Sequence, residues 1–495
     1  MSAPTDGGRP AYGGSMTTTA STTSGLALET NGINVISEDE RKGSPRDLFW
    51  PWAAANVSVF GLSYGAYFLG FGISAAQALV AGLLGTVLSF LLVGFVSLAG
   101  KRGSAPTMVL SRASFGVRGN ALPAALSYLL LVGWEIILVA LATLATATVA
   151  ERLGWGSGNL LKVVAFLVVI AVIMAGGMLG FDVIMRLQTW ITVATVILTV
   201  GYMVLTVGRI DWGAVGAVPS GSVQGMLGAL ILGITAFGLG WTNSGADYSR
   251  YLPRTTPGAG VVGWTTFGAA VAPVLLVLFG VPLAASDAEL SAAIGSDPIG
   301  ALTTILPTWY LIPFALVAIL GLIGGAVLDI YSSGLALLTL GLKVPRWVAA
   351  GVDGVIAILG TTYVVWVAED FFGPFMAFLI TLGVPVAVWC GVFLADLLLR
   401  RRPYDDAALY ESGGRYGSVN WVSWALVGVG TVLGWGLVTN TTKGFGWLGY
   451  LLGPLGGREG AWAYANLGVL VAIAIGFAGY SVLCSGRVRR QESSS

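Results

Sequence analysis

The chain has 495 residues, 56% of them hydrophobic and only 10% charged, with a formal net charge of +1 and no histidine. A soluble globular protein carries roughly 25% charged residues, so this is the composition of an integral membrane protein. It excludes histidine proton relays, histidine-bound metals and Ser-His-Asp hydrolysis, gives no sign of a nucleic-acid partner, and leaves two separated cysteines, Cys390 and Cys484, that make no disulfide framework.

Residues 1–45 are rich in Gly, Ser and Thr and predict a disordered tail, not a cleavable signal. Twelve apolar segments follow, at about 49–76, 77–99, 121–150, 160–181, 187–208, 224–246, 260–284, 308–341, 348–368, 371–399, 419–438 and 462–484. Each meets the roughly 20 residues that a helix needs to cross a bilayer. A short tail, 487–495, closes the chain. With the N-terminus in the cytoplasm, only Arg152, Lys162, Arg209, Lys443 and Arg458 of the 25 Lys and Arg residues fall outside. The positive-inside rule therefore puts both termini in the cytoplasm, and the plasma membrane is the expected location.

The first span is interrupted by Gly61, Leu62, Ser63, Tyr64 and Gly65. The sixth, ITAFGLGWTNSGADYSRYL, loosens over 238–245 and ends in Asp247, Tyr248, Ser249 and Arg250. Lipid cannot hydrogen-bond an unwound backbone, so a broken helix at depth needs protein or a water-filled cavity around it. Spans one and six are corresponding members of two five-helix halves, 46–208 and 209–402, with 403–486 holding two further spans. Matched breaks point to an inverted-repeat transporter and to its binding site. The other reading is that these glycines only let helices pack closely. Asp247 and Arg250 have the spacing of a helical ion pair and suit a structural or gating latch.

Glu135 stands near the middle of the third span and Asp329 well inside the eighth. A carboxylate at bilayer centre costs roughly 2.5–3.5 kcal/mol or more, so such residues usually serve function and face the interior. Either could bind and release a coupling proton; either could also be a neutral acid bonded to a neighbouring helix. Asp182, Asp353 and Asp396 lie near predicted span ends and receive no role. Trp134 and Trp241 are at depth, away from the interfaces where tryptophan usually anchors. Two indole faces could sandwich a planar heterocycle, or could simply pack.

Several stretches together resemble the purine–cytosine permeases of the nucleobase:cation symporter-1 family. They are LSRASFGVRGNALPAALSYLLLVGW (110–134), GWTNSGADYSRYLP (240–253), YSSG (331–334), LADLLLRRRPY (394–404) and SVNW (418–421). The resemblance implies an all-α LeuT-type fold of twelve transmembrane helices, a five-plus-five inverted repeat with discontinuous helices one and six. It implies alternating-access uptake of cytosine, a purine, a hydantoin or allantoin with H⁺ or Na⁺, and no cofactor. It carries ring stacking onto Trp134 and onto Trp241 or Phe237, with Gly238 shaping the cavity. Ser58, Phe60 and Ser63 are the first-span candidates.

The chain departs from its relatives at two places. Leu138 stands where many have an amide, and Asp329 is the only strongly polar residue where many carry asparagines in the eighth span. Ser332 and Ser333 remain as candidate sodium ligands, and Asp329 or Glu135 as proton carrier or acceptor of a substrate N–H. The partners expected are a small planar heterocycle and the bilayer, with no obligate protein. The alternatives are a same-fold symporter for an amino acid or vitamin and, from other classes, a channel or a membrane enzyme. No phosphate loop, metal cluster or nucleophile–base pair supports the enzyme.

Overall fold

Apolar runs bounded by capping signals become helices, and no strand forms among residues 33–177, 181–340 and 346–493, which the computed structural model describes. Among the described residues, eight helices are long and apolar enough to cross a membrane: Ala75–Gly103, Ala121–Arg152, Gly158–Ala175, Thr189–Arg209, Val223–Tyr251, Gly258–Ser286, Thr308–Gly334 and Phe372–Leu399. They fall on predicted spans two to eight and ten. Val59–Leu69, Gly351–Trp366 and Trp421–Trp435 are shorter apolar helices on spans one, nine and eleven, and Gly468–Leu483 bends by 53° into Ser485–Ser493. Residues 1–32 of the expected tail and the Asp182 side chain lie outside the described residues.

Local chemistry sets the helix ends. Ser74 and Gln77 cap the second span reciprocally, with bonds of 3.3 and 3.0 Å between each side chain and the other's N–H. Ser222 accepts from the Gly225 N–H at 3.1 Å and starts the sixth. Ser104 ends the second span in the left-handed region, at φ 53°.

The helices gather into two main groups. The second span packs on the sixth and seventh, and both pieces of the first lie on the seventh. The third packs on the fourth, eighth and ninth, and the fifth on the eighth. The tenth packs chiefly with the twelfth and also with the eleventh.

The first span breaks earlier than expected. Helix Phe49–Asn56 stops, Val57 and Ser58 are extended, a 3₁₀ turn runs over Val59–Leu62, and helix resumes at Tyr64–Leu69. The glycines read as the break serve packing. A Cβ on Gly65 would collide with the Gly280 backbone, and one on Gly61 would meet the Leu276 side chain. The sixth span runs as α-helix over Val223–Ile234, as π-helix over Thr235–Leu239, and then only as 3₁₀ turns at Thr242–Ser244 and Ser249–Tyr251. Its irregularity thus begins three residues before Gly238.

Two further expectations are corrected. Residues 33–45, placed in the disordered tail, are held: Ile36 and Arg41 are buried. Arg41 donates to the Leu252 carbonyl at 2.9 Å through Nε. Asp353 and Asp396, read as span-end caps, are fully enclosed. Asp396 forms a two-point ion pair with Arg400, at 2.7 and 3.0 Å, and accepts from Tyr480 Oη at 2.6 Å. The Tyr480 bond joins the tenth span to the twelfth, and Gln491 adds to the cluster by accepting from Arg400 at 2.6 Å.

Candidate functional site

A cavity of about 130 Å³ lies where the two main groups of helices face each other. The end of helix Phe49–Asn56 and the extended stretch after it give it Asn56, Val57 and Ser58, followed by Phe60, Gly61 and Tyr64. The third span gives Leu131, Trp134 and Leu138, whose spacing of three and four puts them on one helix face. The irregular sixth gives Ala236, Phe237, Gly240 and Trp241, and the eighth gives Gly321, Gly325 and Asp329, each one turn apart. Among the described residues, Asp329 is the only carboxyl or basic side chain on this wall.

Aromatic rings hold the wall from inside and behind. The Tyr64 and Phe237 centroids lie 4.5 Å apart and those of Phe60 and Tyr64 5.0 Å. Trp134 is propped by the edges of Phe375 and Phe378 from the tenth span, at 5.9 and 5.6 Å. Trp241 meets Trp52 edge-on at 6.0 Å, and Trp52 in turn meets Tyr248 at 5.3 Å. The edge-to-face contacts of Trp134, Trp241 and Trp52 fix ring orientation. The bare Gly240 and Gly325 make the room: a Cβ there would lie 3.2 Å from Trp134 Nε1 and 3.1 Å from Leu138 Cδ1, respectively.

Of the residues singled out in the sequence, Trp134, Trp241, Leu138, Ser58, Phe60, Phe237 and Asp329 meet in this cavity. The others do not. Ser63 donates to the Pro298 carbonyl at 2.7 Å. Gly238 faces the second span, where its N–H donates to Ser89 Oγ at 2.9 Å and a Cβ would strike the Ser89 backbone. Glu135 is buried off the cavity, with neither carboxyl oxygen hydrogen-bonded. Ser333 donates to Asp353 at 2.5 Å. Ser332 lines a separate small cavity with Asn243, Ser244 and Asp247. Asp247 accepts from both the N–H and the hydroxyl of Thr107 at 2.8 Å, while Arg250 donates to Tyr251 Oη at 3.0 Å. This ties the end of the sixth span to the stretch following the second.

Sequence reasoning missed Asn56, Tyr64, Phe375 and Phe378. Asn56 carried a signal, as a lone amide in an apolar span beside the break. The two phenylalanines carried none, because a supporting aromatic looks like any other core residue. Among the described residues no group of three His, Cys, Asp or Glu side chains is placed to hold a metal.

Two irregular helices meeting at a small cavity with five aromatic rings on its wall, within a bundle of membrane-length helices, define a multi-pass secondary transporter. A sequence profile of permeases for cytosine/purines, uracil, thiamine and allantoin matches residues 35–453. The chain belongs to this permease family, and the family is one of transporters, not enzymes. A Bacillus subtilis protein provisionally assigned as a purine–cytosine permease is 24% identical over 483 residues, covering 94% of this chain and 98% of that one. The cytosine permease of Escherichia coli K12 is 29% identical over 401 residues, covering 79% and 87%. In fold, the chain is similar to Mhp1, a nucleobase-cation-symport-1 transporter solved closed around bromovinylhydantoin. The TM-score is 0.65 at 19% identity, over 95% of this chain and all of that one.

Proposed function

We propose that the chain imports a nucleobase or a related single planar heterocycle across the plasma membrane, driven by cation symport and alternating access. One observation carries this reading. Two tryptophans, Trp134 and Trp241, and one carboxyl, Asp329, line the same small cavity as the broken first and sixth spans. Indole faces suit a flat ring, and a carboxyl group suits a ring N–H. At about 130 Å³ the cavity is well below the ~300–1,000 Å³ of drug-sized sites, which favours a compact solute. The names of the relatives agree: cytosine for one, purine–cytosine for another, a hydantoin bound in the Mhp1 structure.

The domain reading follows: spans one to five and six to ten as inverted repeats, with two further spans after them. Both termini are assigned to the cytoplasm. Arg41, Lys101, Arg102, Arg254 and Arg400 gather at one end of the molecule, where Lys101 donates to Thr256 O and Arg102 to Arg400 O. Clustered basic residues belong on the inner face.

Uptake of labelled cytosine, adenine, uracil, hydantoin and allantoin into cells, with and without a proton uncoupler, tests the reading. Accumulation of at least one ring against its gradient is expected. A well-expressed protein that carries none of them, but carries an amino acid or a non-planar vitamin, would replace the heterocycle with that cargo.

A further inference from the structure

A line of polar side chains leads away from the cavity. Asp329 lines the cavity, and Ser333 lies one turn further along the same face of the eighth span. Ser333 Oγ donates to Asp353 Oδ2 in the ninth span at 2.5 Å, and Tyr128 Oη of the third span donates to Asp353 Oδ1 at 2.5 Å. Glu135 follows Tyr128 by seven residues, two turns along one stripe of the third span. It is 1% exposed, and neither of its oxygens accepts a hydrogen bond.

The ionisable groups that act on Glu135 are Asp353 and Asp329, and those that act on Tyr128 are Asp353 and Glu135. Ser333 and Tyr128 are the polar partners of Asp353. Among the described residues, no basic side chain pairs with any of the three carboxyl groups. An uncompensated buried ion costs several kcal/mol, so this layer requires a positive charge that the described side chains do not supply. A bound proton removes that need by turning a buried carboxylate into a neutral acid. Tyr128 and Ser333 aim hydrogens, not lone pairs, at Asp353. Donors on both oxygens favour the carboxylate form of Asp353, which leaves it unprotonated in this state and able to take a proton later, and they are the wrong polarity for a metal cage.

We propose that Asp353 is a second proton-holding site of the transport cycle, fed from Asp329 through the Ser333 hydroxyl, so that the coupling ion is a proton. The transfer needs the Asp329 carboxyl to turn onto Ser333 Oγ, one helical turn away; its O–H bond then breaks as Ser333 Oγ takes that proton and passes its own to Asp353 Oδ2. Asp329 is left a carboxylate, Asp353 becomes the acid, and Ser333 is regenerated. Ser332, the neighbour of Ser333, lines the small cavity with Asn243, Ser244 and Asp247, toward the end assigned to the cytoplasm. The site therefore lies between the cargo cavity and the inner face. This rests on reading the chain as a cation symporter.

Infrared difference spectra of the purified protein, recorded on a pH step, test the site without reference to cargo. The carboxylic C=O bands of the wild type should lose one member in Asp353→Asn and shift in Tyr128→Phe and Ser333→Ala, which remove the two donors without burying a new polar group. Sodium at fixed pH should leave them unchanged. Retention of every band in folded Asp353→Asn, or the same change on a sodium step, overturns the proposal. In proteoliposomes with labelled cytosine as the probe, Asp353→Asn should keep exchange and lose accumulation driven by a proton gradient. Full gradient-driven accumulation in that variant also overturns it. A wild type that carries no cytosine weakens the cargo reading instead, and the infrared result still decides the site.

Discussion

The indole nitrogen of Trp134 lies 3.2 Å from the point where a side chain on Gly240 would begin. The third span thus presents its ring directly against the irregular part of the sixth, and the absence of a Cβ at 240 sets how much of that ring a cargo can cover. Gly240→Ala should press on Trp134 by a few tenths of an ångström. One added methyl in a tight pocket discriminates by about 1–3 kcal/mol. Uptake kinetics should show a raised KM with Vmax retained, and a purine should lose more than a pyrimidine.

Trp134 itself gives the sharper test. Stacking a base on an aromatic side chain is worth about 1–3 kcal/mol by alanine replacement, or roughly 5- to 150-fold in affinity. Trp134→Ala should weaken binding of a planar ring by that factor, measured as lost thermal stabilisation by the ligand. Phe378→Ala, which removes the prop 5.6 Å behind the indole, should lose a smaller part of the same effect. Equal affinity in wild type and Trp134→Ala would remove the ring from the site.

Eight of the spans, and the presence of irregular stretches in the first and sixth, were legible because each rests on a local signal: apolar length, a capping residue, glycine clusters in an apolar run. The positions of the breaks were less so. Gly61 and Gly65 mark where the first span presses on the seventh, while the chain unwinds at Val57–Ser58, whose residue types announce nothing. The same limit explains Asp353. Seven residues into its helix it resembled a span-end cap, and only the packing of the third and eighth spans around it supplies Tyr128 and Ser333. Conversely, Ser63 and Gly238 sat in the right sequence neighbourhood but on helix faces turned to Pro298 and Ser89. A break disrupts the 3.6-residue period from which facing is read, so side-chain direction is least predictable where the site is built.

The close crossing of the first and seventh spans should be intolerant of even one methyl. A Cβ on Gly65 would overlap the Gly280 backbone, and one on Gly280 would overlap the Leu62 carbonyl. Backbone on both sides leaves nothing flexible to yield. Overpacking of this kind costs about 1–3 kcal/mol, occasionally more. Gly65→Ala and Gly280→Ala should each lower the Tm of the purified protein, whereas Gly263→Ala, on the same seventh span with open space around it, should not.

Asp396 and Arg400 should matter to stability and little to cargo. Both side chains are almost wholly enclosed, and their two bonds are supplemented by Tyr480 and Gln491. Removing one partner of a buried pair leaves an uncompensated charge and costs about 3–5 kcal/mol. Asp396→Asn should therefore lower Tm and the folded yield, while the protein that does fold keeps its KM. A changed KM at normal stability would instead connect the tenth and twelfth spans to the cavity.

The segment at 36–47 should respond to pH and salt through Arg254. This guanidinium bonds Glu38 at 2.8 Å, Asp406 at 2.8 Å and Ser104 Oγ at 3.0 Å, drawing the N-terminal segment onto the loops that follow the second, sixth and tenth spans. The hydrogen bond from Arg254 holds the Glu38 carboxyl below the usual glutamate range. Burial pushes the Asp406 carboxyl up, with Arg254 opposing the shift. The signs are therefore opposite. Glu38 contributes stability above its ordinary range, and loses it as pH falls through its depressed one. The Asp406 contribution runs the other way, because the folded state takes up its proton first on acidification. Hydrogen exchange at residues 36–47 should stay slow as pH drops through the Asp406 range and quicken only below the ordinary glutamate range. Glu38 is largely exposed, so high salt should weaken its share at neutral pH. Arg254→Ala should remove most of the acid-side loss carried by Glu38 and weaken the salt dependence, while the Asp406 contribution grows because burial then acts without an opposing cation. If exchange in that variant still followed pH as in the wild type, the segment would be held by Arg41 on Leu252 and not by Arg254.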